Sequence, residues 1–130
     1  MLVIVFINLL LLHFATARTV DYNFSIGWVN ANPDDRLVRP VIGINGAWPC
    51  PAIRVCKGDT LRVAIHNDLG NQSTSIHWHG IHQTGSAQMD GPPGISGCPI
   101  PPGQSFTYEF QIDQPGTYWY HSHSSGQCEF

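Results

Sequence analysis

The chain has 130 residues, enough for one domain with a modest core and not for several. Only 12% of its residues are charged and the formal net charge is -3, so the scattered Lys and Arg form no footprint for nucleic acid. Seven His are many for this length, and imidazole is both the commonest transition-metal ligand and the usual proton carrier near neutral pH.

Leu2 to Leu12 is an apolar run broken only by Asn8, too short to span a bilayer comfortably, and Ala15-Thr16-Ala17 has the small-x-small form of a cleavage site. Residues 1–17 are therefore expected to be a secretory signal peptide, cut after Ala17, leaving a mature domain over residues 18–130. Secretion also suits two glycosylation sequons, Asn23-Phe24-Ser25 and Asn71-Gln72-Ser73.

From Val20 to Trp28 apolar and polar residues alternate, which predicts a half-buried strand. A polar loop over residues 30–39 precedes a short strand, Val41 to Ile44, that ends at the turn dipeptide Asn45-Gly46. Cys50 and Cys56 follow on an extended stretch that separates them by about 20 Å, beyond disulfide reach unless the chain folds back. After the Gly58-Asp59 turn, Leu61, Val63 and Ile65 alternate in a further strand.

In a strand, residues two apart share a face, so His77 and His79 project together while Trp78 turns away. Residues 84–103 carry five Gly and five Pro and are predicted to be a long ordered loop. Phe106, Tyr108 and Phe110 alternate again. Asp113-Gln114-Pro115-Gly116 supplies a turn, and an aromatic strand from Thr117 to His123 brings a second pair, His121 and His123. Short strands between Gly and Pro turns, with no helical periodicity, predict an all-β, Greek-key sandwich or barrel.

Four imidazoles on neighbouring strand ends suit copper, zinc, iron or nickel, and His alone does not choose among them. His66 lies on the polar face of its strand, His82 on the face opposite His77 and His79, and His13 within the leader. These three are expected not to be ligands.

Five segments carry a resemblance. They are Arg39-Pro-Val-Ile-Gly-Ile-Asn-Gly-Ala-Trp-Pro-Cys-Pro, Ser75-Ile-His-Trp-His-Gly-Ile-His-Gln, Met89-Asp-Gly-Pro, Cys98-Pro-Ile-Pro-Pro-Gly and Gly116-Thr-Tyr-Trp-Tyr-His-Ser-His. Together, across roughly Val20 to Gln127, they resemble the N-terminal cupredoxin (plastocyanin-like) domain of multicopper oxidases, in the fungal ferroxidase and laccase-like branch.

The resemblance implies oxidation of a reducing substrate, ferrous iron or a phenol, coupled to reduction of O2 to water at a trinuclear copper cluster. Carried over residue by residue, His77 would bind the type 2 copper, His79 and His121 one type 3 copper, and His123 the other, half of the eight cluster His. Asp90 would assist proton delivery, or else only stabilise its turn. Trp78, Trp119, Tyr118 and Tyr120 would pack around the ligands and restrict water, or serve as ordinary core aromatics.

The family's type 1 site and remaining ligands belong to further cupredoxin domains. In related laccases the Cys at the position of Cys98 bridges to a distant C-terminal segment. Gln127-Cys128-Glu129-Phe130 departs from the family pattern and suggests a truncated three-domain parent, so Cys128 carries no assignment. The domain alone is expected to bind copper weakly, without turnover. A competing reading is a secreted, non-catalytic copper-binding module. A cupin would need a Glu soon after its His pair, and a polysaccharide monooxygenase a His where the mature chain would begin with Arg18.

Overall fold

The computed structural model describes residues 16–127, so nearly all of the expected leader, and Cys128 to Phe130, lie outside the described residues. The fold is all-β. Strands β1 (Thr19–Ala31), β2 (Arg39–Ile44), β3 (Thr60–Asn67) and β5 (Ser105–Gln111) form one sheet in the order β2-β1-β3-β5. Strands β4 (Ile76–His79) and β6 (Trp119–Ser122) form a second, two-stranded sheet. Pairing is antiparallel except between β1 and β3, which run parallel.

The alternation foreseen for β1, β3 and β5 is what builds the core. Phe24 and Ile26 of β1, Leu61, Val63 and Ile65 of β3, and Tyr108 and Phe110 of β5 point to one side of the sheet, where they meet Ile76 and Trp78 of β4. Burial of each such side chain contributes about 1.5–3 kcal/mol. Trp28 continues the β1 pattern but is 45% exposed, because it sits past the core, where its indole N–H donates to the Leu69 carbonyl.

The aromatic strand foreseen over residues 117–123 is shorter, Trp119 to Ser122. The long loop contains a single three-residue 3-10 turn, Ala87–Met89, and pairs Ile100 with Thr74 through two backbone hydrogen bonds. No helix among the described residues is long and apolar enough to cross a membrane.

Three buried groups fix β4 and β6 over the larger sheet. The Tyr108 hydroxyl accepts a hydrogen bond from the Ile76 N–H at 3.1 Å, tying the start of β4 to β5. Asn67, fully buried at the end of β3, donates to the carbonyls of Gln72 and Ile100 and accepts from the Leu69 N–H. Gln127 donates to the Ser73 carbonyl and the Gln72 side chain, and accepts from the Ser122 hydroxyl, so the end of β6 is held against the segment leading into β4.

Candidate metal centre

The β4–β6 register sets His77 opposite His121, Trp78 opposite Tyr120, and His79 opposite Trp119. Strand alternation then places His77, His79, Trp119 and His121 on one face and sends Trp78 to the core, where it is 4% exposed. His123 follows just beyond β6. The ring centroids of His79, His121 and His123 all lie 5.3–5.5 Å from that of His77. His77, His79 and His121 each offer a ligand nitrogen, and these nitrogens fall within 4.8 Å of one another.

The outer nitrogens determine which atoms face inward. His77 Nδ1 lies 2.9 Å from the Asp90 carbonyl oxygen, and His121 Nδ1 lies 2.9 Å from that of Ser122. A carbonyl only accepts, so both Nδ1 atoms carry the proton and both Nε2 atoms keep a free lone pair. This is the arrangement by which metal-ligating His are usually oriented. Burial, with the neighbouring imidazoles of His77, His79 and His123 adding to it, holds the His121 pKa below the ordinary histidine value. That ring therefore stays neutral and able to ligate over a wider pH range.

His79 Nδ1 faces His121 Nε2 at 3.3 Å. Two imidazole nitrogens bound to one ion at about 2.0–2.1 Å, with a tetrahedral angle between them, stand about 3.3–3.4 Å apart. The spacing of the pair thus matches that of two nitrogens sharing one first-row metal ion. Binding there needs the His79 proton on Nε2, since Nδ1 would be the donor.

Asp90 reaches the site from the long loop. Its backbone carbonyl holds His77 and its carboxylate oxygen lies 3.3 Å from the same Nδ1, so it acts on the outer edge of that ring. Gly91, with φ of +101°, makes this approach possible: a Cβ there would stand 1.8 Å from the Ile76 carbonyl oxygen and 3.2 Å from the His77 Cα. Neither the Gly91 contact nor the two carbonyl acceptors was foreseen. Main-chain acceptors leave no mark in a sequence, and for Gly91 the one available signal was a glycine directly following Asp90.

Of the four aromatic residues near the pairs, only Trp119 lies against the imidazoles, with its ring centroid 5.0 Å from that of His79 and 4.3 Å from that of His121. Trp78 and Tyr120 belong to the core, Tyr120 donating to the Pro51 carbonyl, and Tyr118 donates to the Pro115 carbonyl. His66 and His82 stand apart from the cluster: His66 Nδ1 is 3.0 Å from the Ser105 hydroxyl, and His82, in the loop past β4, is exposed. Cys50, Cys56 and Cys98 are free thiols.

Comparison with known proteins agrees with this geometry. The family model described as multicopper oxidase matches residues 25–129. The chain is 61% identical over 113 residues to an iron transport multicopper oxidase, FET3, of Gibberella zeae, a match covering 87% of this chain and 18% of that protein. Among solved structures it superposes on Fet3p, a multicopper oxidase that functions in iron import, with a TM-score of 0.81 and 46% identity over 84% of this chain and 21% of that one. The laccase of Botrytis aclada matches equally well, with a TM-score of 0.81 and 46% identity over 86% of this chain and 21% of that one. The chain thus spans about a fifth of the length of these relatives. Because the family match runs through both strands that carry the paired histidines, the chain belongs to the multicopper oxidase family, and copper is the metal that membership implies.

Proposed function

We infer that this chain is a cupredoxin domain that contributes four imidazoles to the oxygen-reducing copper cluster of a multicopper oxidase. His77 is assigned to a type 2 ion, His79 and His121 jointly to one type 3 ion, and His123 to the other. The observation that carries this reading is the 3.3 Å separation of His79 Nδ1 and His121 Nε2, two facing donors spaced for one ion. The remaining ligands would come from further cupredoxin domains of a protein as long as its relatives.

Bound copper would supply the one-electron redox couple through which O2 is reduced to water while a substrate is oxidised. Ferrous iron or a phenol is the proposed substrate, in keeping with the iron-transport and laccase names of the relatives. The part played by this domain is to hold the rings: β4 and β6 fix their spacing, and the Asp90 and Ser122 carbonyls fix the protonated nitrogens of His77 and His121. The Asp90 carboxylate, 3.3 Å from His77 Nδ1, is assigned to proton delivery at that edge of the site. An extracellular or cell-surface location is proposed from the leader-like residues 1–17 and the two sequons.

Copper content and oxygen uptake measured on one sample of this chain, beside His79→Ala, His121→Ala and a His66→Ala control, test the assignment. Copper should bind to the parent and the control and be largely lost from the first two variants. Copper retained by both of those variants would refute the ligand assignment. Copper bound without oxygen uptake is the expected result for a domain that carries only part of the cluster.

A further inference from the structure

His77 and His121 are oriented by backbone carbonyls, whereas His79 is not. Among the described residues its only hydrogen-bond partner is the imidazole of His121, which a bound ion would displace. A ligand His almost always has an outer-shell group that fixes its ring, and no carboxylate or carbonyl among the described residues does this for His79.

What does lie against it is Trp119. The two residues are directly opposed across the β4–β6 ladder, their rings tilted by 34° with centroids 5.0 Å apart. The same indole lies against His121, two residues along β6, at 4.3 Å and 32°. These are tilted ring contacts at centroid distances where aromatic pairs attract. Trp119 is 58% exposed, so core burial does not explain its place. We propose that Trp119 is a positioning residue: by packing against both rings at once it takes the place of the missing outer-shell hydrogen bond and holds His79 Nδ1 facing His121 Nε2.

The inference rests on the copper reading for its purpose, but its geometric core is tested without metal. In the metal-free chain, NMR should show ring-current shifts of the His79 and His121 ring protons from the indole and a short contact between the two imidazoles. Trp119→Leu should abolish both, and Trp119→Phe, which keeps an aromatic ring, should retain the contact. Copper(II) affinity, measured by chelator competition, should fall about tenfold in the Leu variant and much less in the Phe variant. Thermal unfolding of the variants, recorded alongside, should change little because the site is on the surface.

Trp119→Leu with the imidazole contact and copper affinity of the parent overturns the proposal, as does a Phe variant indistinguishable from Leu. Should the Leu variant not fold, Trp119→Thr, suited to an exposed strand position, replaces it. A parent chain that binds no copper refutes the copper reading, while the metal-free spectra still decide the role of Trp119.

Discussion

Replacing Gly91 by Ala should damage the fold and the metal site together. The new Cβ would stand 1.8 Å from the Ile76 carbonyl oxygen and 2.7 Å from its carbon, both backbone atoms of the strand that carries His77. Ordinary contact begins near about 3.4 Å, so loop and strand must part by more than an ångström; overpacking of this kind costs about 1–3 kcal/mol. The φ of +101° adds about 1–2 kcal/mol for any residue with a side chain. Together the loss is about 2–5 kcal/mol, a large share of the about 5–15 kcal/mol that holds a typical domain.

The same displacement pulls the Asp90 carbonyl from His77 Nδ1, so copper affinity should fall roughly 10- to 100-fold. Gly103→Ala is the control, because that glycine also has a positive φ, +72°, but open space around it. It should show only the backbone cost of about 1–2 kcal/mol and keep its copper affinity. Urea denaturation with chelator competition reads both quantities. Equal stability losses in the two variants, or parent-like copper binding in Gly91→Ala, would refute the reasoning.

Tyr108→Phe should cost about 1–3 kcal/mol by urea denaturation, because it leaves the buried Ile76 N–H at the start of β4 without its acceptor. An unchanged midpoint would show that this bond does not anchor β4. The lowered pKa of His121 fixes the sign of a pH effect in the metal-free chain. Its unfolded form takes up a proton at about pH 6.5 and its folded form only below that. The His121 contribution to stability is therefore complete above about pH 6.5 and is lost as pH falls through the lowered folded value. His121→Gln should flatten the acid limb of the stability profile. An NMR titration placing His121 at or above the ordinary value would contradict the burial that causes the shift.

The parts legible in the sequence are those governed by local periodicity. The alternation over Val20 to Ile26, Leu61 to Ile65 and Phe106 to Phe110 gave the strands and, Phe106 apart, which is 41% exposed, the side that turns to the core, and the spacing of two within each histidine pair gave their common face. What escaped was set by long-range meetings. Asn67, a polar residue just past the alternation of β3, is fully buried because its amide bridges the Leu69 to Gln72 turn and the distant Ile100 carbonyl. Trp28 fitted the apolar side of β1, but the core ends before it. The four aromatic residues near the two histidine pairs looked alike. Only the β4–β6 register separates Trp119, on the imidazole face, from Trp78 and Tyr120, in the core.

The carbonyls that hold His77 and His121 have an evolutionary corollary. A main-chain oxygen is present whatever side chain its residue bears, so substitution at Ser122, or across much of the long loop, leaves the tautomer of each ring untouched provided the backbone path survives. The donor set is thus buffered against sequence drift around it. Such drift is free to reshape the surroundings of the site, and with them its ligand preferences, while the inward-facing nitrogens stay in place. The tolerance ends at Gly91, where the path itself depends on having no side chain at all.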